Sequence, residues 1–232
     1  MQRRQFLATL IGGVAAAASS TSALAQGALG GTMAPAANAT GVAIAGQTYT
    51  PLNTPTLQTV GGKIEVLEFF SYGCPHCHDF SEPFERWSKK QKDVVVRRVP
   101  VTFGRPQWVV LGRLFYTIQT LKLTALDMGA FAAIHQQGKT LYDDQAVLQW
   151  AAAQPGVDAK KFSEVYYSNE VTNAMKKADA LAMTYQIDGV PSIIVGGRYK
   201  MLQQRGMNFN DLLLNTDAVI KLAKQSGKYF LN

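Results

Sequence analysis

From Ile64 to Phe70 the chain reads IEVLEFF, bounded by Gly61-Gly62, and Cys74-Pro75-His76-Cys77 follows almost at once. A short, nearly continuous apolar run between glycines suits a buried strand, with Glu68 standing inside it as an acid. Beyond the cysteines, Phe80, Phe84 and Trp87 fall at helical spacing, so Pro75 to Lys90 reads as a helix that Pro83 is expected to kink. Val94 to Val99 reads as the next strand. The strand–helix–strand unit calls for like-directed strands joined by a right-handed crossover, with Cys74 at the junction of strand and helix.

Cys74 and Cys77 are the only cysteines. A bond closing so short a loop removes little chain entropy, so the pair is better explained by chemistry than by stapling. C-x-x-C serves redox dithiols and zinc sites, and with His78 after it the pattern also fits covalent c-type haem. Haem motifs usually open a helical domain and need a distal ligand, whereas here a strand precedes the motif. Zinc needs two further ligands, and the histidines are His76, His78 and His135; the first two lie too close on one turn to complete a tetrahedron easily. No cofactor or metal is therefore expected.

The dithiol reading has a direct physical basis. At a helix N-terminus, unpaired N–H groups and the helix dipole stabilise a thiolate, which makes Cys74 the exposed nucleophile and leaving group. Cys77, one turn inside, is the resolving thiol, and His76 between them adds positive charge or a hydrogen bond. Stabilising the thiolate stabilises the reduced form, so the disulfide becomes a stronger oxidant.

Elsewhere, a short strand is expected near Gln47 to Leu52. Segments near 106–121, 127–137, 143–153, 158–168 and 170–185 read as helices broken at Gly138, Pro155-Gly156 and Ser168-Asn169. Ser192–Val195 and Arg198–Leu202 form a hairpin about Gly196-Gly197, and a last helix near 210–225 is capped by Asn208 or Asn210. The order describes an α/β core interrupted by a helical insertion. Trp108, Phe115, Phe131 and Trp150 are expected to form the insertion's own core, and His78 and His135 to be a solvated and a structural residue.

Residues 1–25 carry Arg3-Arg4, an apolar run from Phe6 to Ala18 and Ala23-Leu24-Ala25, the pattern of an export leader cleaved after Ala25 by a Sec or twin-arginine route. Residues 26–45, rich in Ala, Gly and Thr, read as a flexible lead-in. The net charge of +7 comes from scattered Lys and Arg without a like-charge run, which argues for a solvated basic surface and against nucleic-acid binding.

CPHC after VLEFF, together with Gly189-Val190-Pro191 before a late strand, resembles the thioredoxin superfamily and, within it, the DsbA-like family of periplasmic thiol:disulfide interchange proteins. The likeness runs over roughly residues 46–232. It implies a thioredoxin-like fold from 46–105 and 186–232, with 106–185 as a helical insertion domain. It also implies Cys74 as the attacking cysteine, Cys77 as its partner, and Pro75 and His76 as the dipeptide that tunes them. Val190 and Pro191 would form a substrate-binding edge with a cis-proline, and Glu68 would be a buried acid beneath the dithiol, with Arg98 at a basic position near it. Clients would be reduced, partly folded exported proteins, and a quinone-linked, DsbB-like membrane protein would reoxidise the pair. Residues 26–73 leave no room for the N-terminal dimerisation domain of the superfamily's bacterial isomerases, which favours a monomer.

Overall fold

The computed structural model describes residues 40–53 and 58–228, apart from the side chains of residues 227 and 228. The expected export leader and residues 26–39 of the expected lead-in lie outside the described residues. The end of that lead-in makes defined contacts: the Gly41 N–H donates to Asn215 Oδ1 at 2.6 Å, and Ala43 packs on the core.

Strands β1 (Tyr49–Pro51), β2 (Thr59–Val60), β3 (Lys63–Phe70), β4 (Val94–Pro100), β5 (Ser192–Val195) and β6 (Tyr199–Met201) form one mixed sheet. β3 is its centre, parallel to β4 on one side and antiparallel to β5 on the other, with β6 and β1 beyond β5. The like-directed β3 and β4 are joined by helix α1 (Pro75–Lys90), as the apolar spacing predicts, and the helix continues past Pro83. Gly196 and Gly197, with φ of 57° and 64°, lie in the three-residue β5–β6 turn between Val195 and its partner Tyr199, in a left-handed conformation that glycine adopts without strain.

Five helices lie between β4 and β5: α2 (Pro106–Thr120), α3 (Ala125–His135), α4 (Asp144–Ala152), α5 (Ala159–Tyr166) and α6 (Asn169–Thr184). The side chains of Asp143, Asp158 and Ser168 accept N–H bonds at the starts of α4, α5 and α6, which fixes where each helix begins. Helix α7 (Phe209–Lys228) closes the order, and Asn208 Oδ1 accepts from the Asp211 N–H at 2.9 Å.

Alternation along β3 sends its side chains to two faces. Ile64 and Val66 pack with Phe80, Phe84 and Trp87 of α1 and with Val219 and Ile220 of α7. Leu67 and Phe69 pack with Ala178 and Ala182 of α6. Each fully buried Val, Leu, Ile or Phe among these stabilises the fold by about 1.5–3 kcal/mol. Phe70 meets Phe115 at 5.1 Å between ring centroids, and Tyr72 meets Phe131 at 4.9 Å. Phe115 and Phe131 are therefore buried against the end of the central strand, where the sequence expects a separate core.

Candidate active site

The turn after β3 places the dithiol. Cys74 N–H donates to the Ser71 carbonyl at 3.1 Å, and Cys74 itself is the extended N-cap of α1, at φ −97° and ψ 118°. Pro75 occupies the first helical turn, where its missing N–H costs nothing and its fixed φ suits the helix. No acidic residue lies in that turn to repel an anion there.

Cys74 and Cys77 are free thiols. Cys77 is fully buried and Cys74 only 7% exposed, so the expected exposed nucleophile is in fact nearly covered, while Pro75 and His76 face solvent. The Cys74 thiol is pushed down to about 6, chiefly by a hydrogen bond from Cys77, against the effect of burial and with help from the N–H groups of Cys77 and His76 and the His76 ring. Burial pushes the Cys77 thiol strongly up, and Cys74 and Glu68 add to this. The two sulfurs are thus driven apart in acidity: one holds an anion and the other a proton.

What covers Cys74 is the segment before β5. The Cys74 Sγ lies 3.5 Å from the carbonyl oxygen of Val190, and the Val190–Pro191 peptide bond is cis. Gly189, Val190 and Pro191 retain exposed surface beside the sulfur. The chain thus brings together two motifs 116 residues apart.

Glu68 lies on the same face of β3 as Val66 and Phe70, fully buried. Its register partner on β4 is Arg98, whose Nε donates to Glu68 Oε2 at 2.6 Å. Burial raises the Glu68 carboxyl above its usual range, Arg98 lowers it in part, and Asp127 raises it again. Arg98 Nη1 also donates to Asp127 Oδ2 at 2.8 Å, and its guanidinium sits 4.0 Å over the Phe70 ring. The Tyr72 hydroxyl donates to Asp127 Oδ1. A second acid on β3, Glu65, is paired with Arg97 at 2.9 Å on the other face.

Several of these neighbours are not singled out by the sequence. Tyr72 and Asp127 complete the charge cluster around Glu68. Trp108 flanks the redox turn so closely that a Cβ on Gly73 would lie 2.9 Å from its Nε1. His78 is half-buried where the sequence expects a solvated side chain: its ring is 5.1 Å from that of His135, its Nδ1 faces Asp79 at 3.1 Å, and its Nε2 faces the Gln136 amide at 3.2 Å. His135 Nε2 donates to the Tyr72 carbonyl at 2.7 Å. A tyrosine or aspartate at these positions carries no local pattern, so no sequence signal marks them. Among the described residues, no group of three or more His, Cys, Asp or Glu side chains converges as a metal site.

An activated thiol at a strand-to-helix junction, a buried partner thiol and an adjacent X-Pro loop in a mixed sheet define a thioredoxin-fold dithiol oxidoreductase. The family profile described as a DSBA-like thioredoxin domain matches residues 65–213. The chain is 43% identical over 182 residues to the thiol:disulfide interchange protein DsbA of Bordetella pertussis, covering 77% of this chain and 84% of that protein. It is 39% identical over 158 residues to the protein of the same name from Pseudomonas aeruginosa, covering 67% and 74%. The crystal structure of Pseudomonas aeruginosa DsbA superposes with a TM-score of 0.72 at 34% identity, covering 78% of this chain and 94% of that one. The oxidoreductase NmDsbA1 from N. meningitidis gives 0.71 at 30% identity, over 80% and 96%. The chain belongs to the DsbA-like family and is a protein disulfide oxidoreductase.

Proposed function

We propose that this protein donates a Cys74–Cys77 disulfide to reduced, partly folded proteins in the periplasm. A substrate thiolate attacks the Cys74 sulfur, forming a mixed disulfide and expelling Cys77. Cys77 leaves as a thiolate and takes a proton from Glu68. The substrate's second thiolate then attacks its own sulfur in the mixed disulfide and releases the Cys74 thiolate, so the substrate loses two electrons and the dithiol is left reduced. A quinone-linked, DsbB-like membrane protein restores the disulfide, and Glu68 takes the Cys77 proton back.

The observation that carries this reading is the contrast between the two thiols, one held down to about 6 and the other pushed up by burial. A low-pKa leaving group at Cys74 favours release of the oxidised product. Pro75 and His76 shape that turn, and the exposed edge at Val190 and Pro191 offers backbone to an extended client beside the sulfur. We read residues 46–105 and 186–232 as the thioredoxin-like domain carrying the dithiol, 106–185 as the insertion, and the working protein as an exported monomer whose leader is cleaved after Ala25.

The test is the redox equilibrium of the Cys74–Cys77 pair with glutathione, combined with oxidation of a reduced, unfolded protein. The reading expects an oxidising pair and net disulfide formation. A strongly reducing pair, or reshuffling of disulfides without net oxidation, would assign the protein to the reductases or isomerases of the same fold.

A further inference from the structure

Helix α3 touches the redox turn at two points: Asp127 in its first turn accepts from the Tyr72 hydroxyl, and His135 in its last turn donates to the Tyr72 carbonyl at 2.7 Å. Asp127 also accepts from Arg98 Nη1 at 2.8 Å, so the guanidinium lies between two carboxylates, Asp127 on one side and Glu68 on the other. The pair with Glu68 is made through one nitrogen only. Among the described residues no group hydrogen-bonds to the buried Glu68 Oε1 or Arg98 Nη2, two atoms that a forked pair would have joined.

The charge count follows from this arrangement. With Glu68 protonated, Arg98 and Asp127 form a neutral pair; with Glu68 ionised, a fully buried carboxylate and a partly buried one share one cation. The other groups facing the cluster are the Cys77 thiol on α1 and the Tyr72 hydroxyl, and the β5 residue in register with Glu68 is the apolar Ile193. Arg98 and Asp127 line a cavity of about 450 Å³ to which α1 adds Glu85, β4 adds Arg97 and α2 adds Tyr116, while Glu68 does not reach it.

We propose that Asp127 is a positioning residue of the redox site: by sharing the Arg98 guanidinium with Glu68, it leaves Glu68 able to hold a proton beneath Cys77. This rests on the reading above, in which Glu68 exchanges a proton with Cys77. Without the Asp127 charge, Arg98 would serve Glu68 alone and fix it as a carboxylate.

D127N tests the idea, because an amide keeps the shape, accepting from Arg98 and donating to Tyr72 while removing the charge. The readout is the carboxyl-carbon NMR titration of Glu68 in the reduced protein, identified by its loss in E68Q. The inflection is expected to move to lower pH in D127N and to stay near its wild-type position in Y72F, which deletes the hydroxyl and leaves the Asp127 charge. An unmoved inflection in D127N, or an equal displacement in Y72F, overturns the proposal. D127S carries the same expectation should D127N fail to fold. The titration uses the protein alone: oxidation of a reduced protein by the wild type with an unmoved D127N inflection sinks the role of Asp127 and spares the oxidase reading. No oxidation by the wild type sinks that reading, and the redox role of Asp127 with it.

Discussion

Glu68 and Arg98 are register partners on the parallel strands β3 and β4, with Arg98 Nε 2.6 Å from Glu68 Oε2. The central strand of the sheet therefore carries an acid directly beneath the dithiol's helix, and the neighbouring strand supplies its counter-ion. Four consequences of this site can be measured.

The first concerns pH and stability. Burial raises the Glu68 carboxyl above its unfolded value, so the native state keeps a proton that the unfolded chain has already lost. More protons bound in the native state means that Glu68 lowers stability as pH rises from the unfolded carboxyl range through the folded one. Urea denaturation of the reduced protein should show this slope, and E68Q should remove it. An identical slope in E68Q would place the titration elsewhere.

Removing the cation should be more damaging than removing the acid. R98M leaves Glu68 and Asp127 without their shared partner, and breaking a buried pair in this way costs about 3–5 kcal/mol. The loss should be largest at neutral pH and shrink in acid, where Glu68 is protonated. Denaturation midpoints at two pH values provide the comparison.

Thiolate absorbance of the reduced protein should titrate with a midpoint of about 6 from Cys74, against an ordinary thiol value of 9.0. A depressed folded value stabilises the reduced protein fully only above the unfolded thiol range, and that stabilisation is lost as pH falls through about 6. Because the Cys77 thiol is the largest cause and the His76 ring the smallest, C77A should raise the Cys74 midpoint more than H76A does. The opposite order would mean that the exposed imidazole, and not the buried thiol, tunes Cys74.

At Gly73 the constraint is one of space. A methyl there would meet Trp108 Nε1 at 2.9 Å and Leu111 Cδ1 at 3.1 Å. G73A should cost about 1–3 kcal/mol by overpacking and change the Trp108 fluorescence. Unchanged stability would show that the redox turn can shift without penalty.

Much of this site follows from patterns along the chain. The strands at 64–70 and 94–99 are both read from apolar runs, while the register that sets residue 68 against 98 is a property of the folded sheet. The helix start at Cys74 follows from the strand before it and Pro75 after it. Tertiary contacts supplied the rest. Asp127 looks like an ordinary first-turn acid on α3, and only packing brings it to Arg98. His78 and His135 are 57 positions apart, and no periodicity pairs their rings. Thiolate stabilisation at a helix N-terminus predicts an exposed Cys74; the Val190 carbonyl, arriving from far along the chain, closes over it.

The two anchors that α3 places on Tyr72 bear on how this protein can be recombined with its relatives. Arg98 is encoded with the sheet and Asp127 with the helical segment, yet they hold one charge arrangement between them. A chimera that exchanges the helical segment alone imports whatever residue its donor has at position 127. Such hybrids should work best when the strand cation and the helix anion are transferred as a pair, which makes the pair the smallest unit of exchange across this junction.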